Sequence, residues 1–301
     1  MNEQRHALIT GCNGFIGSVL SRALTEAGYT VWGVDWACTP GERTLRADLL
    51  NADETRRAFA AVPRPFAVIH TAAWAHGQKL PPGQSYASIN TTITANVLAA
   101  VEQSDPRLVF LSSVAVYGED RRTGPVGVDA ALRPATDYGM GKKRCEELLL
   151  QSNLTHCDIL RLTPVFDDAH MRDVRKRAFL PGFSRLKMHL EPPPSYSLCH
   201  VDTLARVVVS LLSRPPRGRR TINVADPTAY DQHQVASWFP GRPMRFRVGL
   251  TRPLYYLTYL LPPKFGYRLR CVYWKLMQSN IYRTSDQWQE GNSPARSEHA
   301  K

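Results

Sequence analysis

Tyr138-Gly-Met-Gly-Lys142 sets a phenol and an ammonium one helical turn apart, on one face if the segment is helical. A phenol with its ordinary pKa near about 10 is a poor base at neutral pH, and a neighbouring cation would stabilise the phenolate. Ser113, second of the pair Ser112-Ser113, offers a hydroxyl that can bond the same substrate oxygen and orient it. Together the three residues suit proton transfer to or from a hydroxyl or carbonyl, and Lys142 could also hold a ribose. Tyr-x-x-x-Lys by itself equally describes an exposed helix pair. Its position after a glycine loop and a strand-end Ser-Ser favours the chemical reading.

That glycine loop is Gly11-Cys12-Asn13-Gly14-Phe15-Ile16-Gly17, three glycines three residues apart between an apolar run at 7–10 and a helix-periodic stretch at 15–27. The first glycine permits a tight turn, and the second lets backbone amides approach a pyrophosphate at the positive end of the helix. The third allows close packing of helix on strand. Asp35 ends the next apolar run, 29–34, where its carboxylate can accept from both hydroxyls of an adenosine ribose and would repel a 2′-phosphate. NAD is therefore expected rather than NADP, with Arg43 and Arg46 close enough in sequence to keep the alternative open.

These residues need a scaffold. A short third strand is expected at 44–47, the runs at 66–70, 108–112 and 157–162 read as further, buried strands, and 52–61, 86–103 and 137–151 as helices between them. Strand alternating with helix predicts an α/β fold, a Rossmann-type doubly wound parallel sheet with ligands beyond its carboxyl edge. After Thr163 the alternation gives way to a basic, proline-punctuated stretch, 167–194, before a helix at 201–213 and a strand at 221–224 return to the sheet. The expected organisation is a cofactor domain over 1–166, joined by 200–225, and a smaller discontinuous substrate lobe from 167–199 and 226–301, with a frayed tail from 291.

The chain has 301 residues, 43% hydrophobic, enough for a large core and against disorder. Its net charge of +12 is unevenly placed: residues 1–170 carry 16 basic and 18 acidic side chains, residues 171–301 carry 22 and 8. The second half is thus expected to meet something anionic, a phosphorylated small molecule, a membrane surface or a nucleic acid, the plain alternative being a solvated arginine-rich surface. Six cysteines without Cys-x-x-Cys or zinc-like spacing read as reduced thiols, and no metal site is expected. A polar start without a leader, and no apolar run of about 18 residues, suggest a cytosolic protein.

Taken together, the motifs resemble the extended short-chain dehydrogenase/reductases, the NAD-dependent epimerase/dehydratase family. The similarity runs from 7 to 225 and continues more weakly to 289. Thr10 to Gly17 is similar to the family's Thr-Gly-x-x-Gly-Phe-Ile-Gly, Asp48-Leu49 to its adenine-contacting pair, and His70-Thr71-Ala72-Ala73 to the motif that lines the cofactor. Asn90 and Asn96 fall in its Asn-rich helix, Ser112 to Gly118 resembles Ser-Ser-x-x-Val-Tyr-Gly, and His200-Val201-Asp202 its late His-Val-Asp. The resemblance implies Tyr138 as general acid/base, Ser113 polarising the reacting oxygen, and Lys142 tuning Tyr138 and gripping the nicotinamide ribose. It implies cofactor contacts at Gly11, Asn13, Gly14, Phe15, Ile16, Gly17, Asp35, Asp48, Leu49, His70, Ala72, Ala73, Asn90, Ser112, Tyr138, Lys142 and Thr163. Tyr117 is expected to support the Ser113 turn rather than react.

Two departures bear on substrate. Family 4,6-dehydratases carry Asp-Glu directly after the catalytic Ser/Thr, whereas Val114 and Ala115 stand here. The UDP-sugar 4-epimerase pattern Arg-Tyr-Phe-Asn is Arg161-Leu162-Thr163-Pro164, and the phosphate-binding Arg before the late His is Tyr196. A diphosphate would need other cations, with Arg172, Arg175, Lys176, Arg177, Arg185 and Lys187 on offer against the reading of a solvated helix face. His76, Ser113, Arg175, Arg177 and Tyr196 are the expected substrate contacts, Tyr196 either stacking on a base or simply packing.

The leading expectation is an NAD-dependent epimerase or ketoreductase acting on a nucleotide-linked sugar, for surface polysaccharide synthesis. The alternatives are a hydroxysteroid-dehydrogenase-like enzyme of apolar hydroxy compounds and a non-catalytic NAD-sensing protein. No nucleic-acid reader motif occurs. Residues 250–277 are expected to pack on the lobe with arginines outward, contact with a membrane surface being the other reading. A homodimer is expected by resemblance.

Overall fold

The computed structural model describes residues 5–74, 80–118 and 124–284. Its first half alternates as the sequence predicts: β1 (His6–Thr10), α1 (Phe15–Glu26), β2 (Thr30–Asp35), β3 (Thr44–Arg46), α2 (Ala52–Ala60), β4 (Ala67–His70), α3 (Tyr86–Val101), β5 (Arg107–Ser113), α4 (Asp137–Gln151) and β6 (Cys157–Leu162). Then come β7 (Val165–Phe166), α5 (Arg172–Ala178), β8 (Leu186–Glu191), β9 (Ser195–Tyr196), β10 (Cys199–His200), α6 (Val201–Ser213) and β11 (Arg219–Val224). The chain continues through β12 (Tyr230–Asp231), α7 (Gln232–Ser237), β13 (Arg242–Arg247), α8 (Val248–Leu257) and α9 (Pro263–Met277).

Seven strands form one parallel sheet in the order β3-β2-β1-β4-β5-β6-β11. Successive residues of β1 explain why it is buried on both sides. Ala7 and Ile9 face a core shared with Leu20 and Leu24 of α1 and with Leu204, Val208 and Leu211 of α6. Leu8 faces the opposite core, with Phe59 of α2, Ile93 and Val97 of α3, and Leu149 of α4. Chain direction across the sheet reverses at β1, whose neighbours are β2 and β4, and a crevice opens there beyond the strand ends.

The remainder packs beside the carboxyl edge. Phe166, Val174, Phe179, Tyr196, Leu198 and Val235 form a separate small core. The parallel pair β8–β13, with Met188 and Leu190 buried against Leu276, forms another. That pairing has no counterpart in the sequence reading. Segments 250–277 form α8 and α9 with the turn Thr258–Leu260 between them, and Leu276 packs inward as expected, but the outward side carries more than arginines.

Candidate active site

The loop after β1 is shaped by backbone approach. Gly11 has φ +72° and donates its N–H to Val34 O at 2.7 Å, and a Cβ on it would stand 2.9 Å from the Ala72 backbone. A Cβ on Gly17 would lie 2.1 Å from Gly11 O, so only glycine lets α1 come this close to β1. α1 begins at Gly14 with no side-chain cap and no acid in its first turn. The amides of Phe15 and Ile16 thus open the helix with no side chain among the described residues capping them.

At the end of β2 the buried Asp35 carboxylate is fixed by the N–H groups of Asn13 (3.1 Å) and Ala37 (3.0 Å), which tie the glycine loop to the strand end. Arg46, paired with Asp35 in the β2–β3 register, donates its Nε to Trp36 O. Asp48 holds its own turn, Oδ1 accepting from Leu50 N at 2.9 Å, while Asn96 donates to the carbonyls of Leu49 (2.8 Å) and Leu50 (3.1 Å). A glycine cradle, uncapped helix amides and a fixed strand-end carboxylate fit a dinucleotide, with Asp35 facing the adenosine ribose and the α1 amides the pyrophosphate.

Four expected cofactor contacts have their side chains committed elsewhere. His70 is buried, its Nδ1 paired with Thr10 Oγ1 at 2.8 Å and its Nε2 with Thr94 Oγ1 at 3.3 Å. Burial, assisted by the Lys142 charge, pushes its pKa down to about 3, so it is a neutral bracket joining β1, β4 and α3. Asn90 clamps the backbone of Trp74, accepting from its N at 2.6 Å and donating to its O at 3.1 Å. The Ser112 hydroxyl donates to Glu146 Oε1 at 2.5 Å. The Thr163 hydroxyl and N–H both go to Val224 O. These residues shape the crevice from behind, whereas Ala72 and Ala73 follow β4 at its open end, Ala72 N donating to Thr10 Oγ1.

Ser113 ends β5 and caps the single 3-10 turn Val114–Tyr117, its Oγ accepting from Ala115 N at 3.2 Å. Tyr138, in the first turn of α4 behind the Thr136 cap, lies beside Ser113, whose hydroxyl favours its phenolate. Lys142 is buried; its Nζ donates to Leu111 O at 2.7 Å and lies 4.7 Å above the Phe110 ring and 5.9 Å from the Tyr138 ring centre. The three residues meet, but the expected lowering of the phenol pKa does not follow. Burial, then the charge of Asp173, pushes Tyr138 up to about 12, with Ser113 pulling the other way. Lys142 is spent on a carbonyl, and its own pKa is lowered by burial.

A buried network absent from the sequence reading fixes the serine turn. Glu146, one helical turn beyond Lys142, holds Arg161 in two-point contact at 2.8–3.2 Å. Arg161 also donates to the Tyr117 hydroxyl at 2.9 Å, which donates to Asn223 Oδ1 at 2.6 Å. Tyr117 thus supports the turn. An arginine inside the mostly apolar β6 was the available signal, because a buried cation needs a partner.

Asp173 arrives from an unexpected direction. The segment before α5 arches back to the glycine loop, where the His170 ring stacks on Phe15 with centroids 3.8 Å apart and His170 Nδ1 pairs with Asp167 at 2.8 Å. α5 then brings Asp173 within electrostatic reach of Tyr138. Of the basic residues on this helix Arg177 is buried, while Arg172, Arg175 and Lys176 stay exposed. The Arg177 Nη1 donates to Asp173 O at 2.6 Å and its guanidinium lies over the Tyr196 ring. Tyr196 is itself fully buried, its hydroxyl donating to Leu276 O at 2.5 Å, so it packs and offers no face to a base. Arg175 is exposed but lies over Phe179 and donates to Ser184 O; Lys176 pairs with Asp173, and Lys187 donates to Phe239 O. Arg177 and Tyr196 are therefore corrected from substrate contacts to lobe core, because the partners that bury them come from β9 and α9, far apart in sequence. His76 lies outside the described residues.

Residues 7–225 match the model of the NAD dependent epimerase/dehydratase family. The chain belongs to that family. Its cofactor is accordingly NAD. Among curated relatives, the UDP-glucose 4-epimerase of Vibrio cholerae is 25% identical over 235 residues, 73% of this chain and 70% of the relative. That of Streptomyces lividans is 29% identical over 158 residues, 50% of this chain, which spans about half (48%) of that relative. Among solved structures, WbmH of Bordetella bronchiseptica in complex with NAD+ superposes with TM-score 0.70 at 18% identity, covering 97% of this chain and 93% of that one. At that identity the likeness speaks for the fold: the family's sheet and lobe.

Proposed function

We propose that this family member is a nucleotide-sugar epimerase or ketoreductase serving surface polysaccharide synthesis, with Ser113, Tyr138 and Lys142 as its catalytic set. The observation that carries the reading is the meeting of Ser113, Tyr138 and Lys142 at the carboxyl edge, next to a glycine cradle suited to NAD. Bound NAD supplies the carbon that accepts and returns hydride. The protein's part is proton management: Ser113 orients the sugar oxygen, and Tyr138 donates as the phenol to a carbonyl oxygen in reduction, or takes the hydroxyl proton as the phenolate in oxidation, with its burial favouring the phenol. Lys142 holds the floor of the site from the Leu111 carbonyl. Val114 and Ala115 place no carboxylate after Ser113, which argues against elimination of water. The similarity to UDP-glucose 4-epimerases supports a UDP-linked sugar. A homodimer through α3 and α4 is part of the proposal, supported by Met140 and Leu150 exposed on α4.

The test is a thermal-shift panel of UDP-, GDP-, CDP- and dTDP-sugars beside sterols, with NAD present. Stabilisation by one nucleotide sugar class, followed by its turnover, is the expected result. Stabilisation by sterols alone would replace this reading with the hydroxysteroid one, and NAD binding without any turnover would favour a sensing role.

A further inference from the structure

The helical hairpin α8–α9 is unusual for a surface in contact with water. Ten of the sixteen large apolar side chains exposed among the described residues fall between 250 and 272, so this is a concentrated patch and not scattered exposure. Leu260 is 82% and Leu250 74% exposed, and Tyr256, Leu257, Tyr259 and Phe265 are each more than half exposed. The hairpin is firmly seated from within: Leu276 packs on Met188 and Leu190, Cys271 is buried, and Thr251 and Tyr273 share a hydrogen bond at 3.1 Å. Its apolar tip is therefore held outward by a packed base.

The charge along this stretch of chain has one sign, the neighbouring β8 adding the exposed Glu191 opposite Arg247. From 232 to 285 the chain contains no aspartate or glutamate and nine lysines and arginines. Arg245, Arg247 and Arg252 are exposed beside the hairpin, and Arg270 lies 4.2 Å above the Tyr259 ring while donating to Thr258 O. Apolar and aromatic side chains flanked mostly by cations match the interface of a bilayer with anionic headgroups: rings and leucines enter the acyl boundary while arginines meet phosphate. No helix among the described residues is long and apolar enough to cross a membrane, so such a contact would lie on the surface. A second copy of this chain fits less well, because pairing this face with itself would bring like charges together.

We infer that the α8–α9 hairpin docks the protein on an anionic lipid surface. This surface lies outside the site assigned above and does not depend on which sugar is used. The test is co-sedimentation of the whole chain with vesicles of phosphatidylcholine alone and of equal parts phosphatidylcholine and phosphatidylglycerol. The protein is expected to pellet with the mixed vesicles only, and less as salt rises. Leu257→Glu with Leu260→Glu should cut vesicle partitioning by about tenfold or more. Arg245→Glu with Arg247→Glu should weaken the anionic preference, with melting temperature and NAD binding unchanged in both variants. A folded wild type that ignores the mixed vesicles would overturn the inference, as would a leucine variant that binds them equally. So would light scattering in which the leucine variant dissociates a wild-type dimer while neither form binds lipid. Turnover of soluble sugar nucleotides by the variants reports on the catalytic reading separately.

Discussion

Tyr138 stands in this structure as an acid: half-buried, beside Ser113, and shadowed by the negative charge of Asp173. The direction of that last effect makes a prediction. Although burial opposes it, the pair with Lys176 holds the Asp173 carboxyl below its ordinary range, so Asp173 is charged at neutral pH and disfavours the phenolate. Asp173→Asn removes that repulsion, so the pKa of Tyr138 falls and the limb of the pH–rate profile that requires phenolate moves to lower pH. An unmoved limb would mean that Asp173 does not act on the phenol. Asp35 carries the second residue-scale prediction. With its oxygens fixed by Asn13 and Ala37, it is rigid and cannot swing away from a 2′-phosphate. Asp35→Ala should weaken NAD and reduce the preference for NAD over NADP by roughly tenfold or more, read by titration with both dinucleotides. An unchanged ratio would take the discrimination away from this residue.

At the scale of elements, the contact of α1 with the β1 turn is the tightest constraint in the cofactor half. Gly17→Ala would place a methyl 2.1 Å from Gly11 O, so either α1 lifts or the turn shifts. The expected cost is about 1–3 kcal/mol of stability together with weakened NAD binding, measured by thermal melting and titration. Retention of both would contradict the packing described. This constraint was legible in the sequence, because three glycines between an apolar run and a helical period leave few other geometries. The alternation through β6 was legible for the same reason, since burial on both faces produces near-continuous apolar runs. β8 and β13 were not: they pair across about fifty intervening residues, and β13 is a largely exposed, arginine-rich strand without alternation. Nor could the sequence say which way a cation faces. Arg177 and Arg161 turn inward because Tyr196 and Glu146 await them, and those partners are set by tertiary structure. The same limit hid the hold of Asn90 on Trp74 and the arch that lays His170 on Phe15.

Over the whole molecule the uneven charge acquires a different meaning from the one composition suggests. The near-neutral half supplies backbone amides for a pyrophosphate. Of the α5 cations Arg177 is buried in the lobe and Lys176 is paired with Asp173, and nine further cations lie within 242–283 beside an exposed apolar hairpin. Substrate recognition must therefore draw on fewer lobe cations than their number implies, which places more weight on Ser113, Tyr138 and the crevice between them. The most direct measurement is nicotinamide absorbance in the NAD-loaded protein mixed with the stabilising nucleotide sugar, followed by product analysis, for the native chain and for Tyr138→Phe. The account predicts hydride transfer and turnover by the native chain and a loss of roughly 10²–10⁴ in the variant, with NAD and sugar binding retained. Turnover that survives Tyr138→Phe undiminished would contradict it.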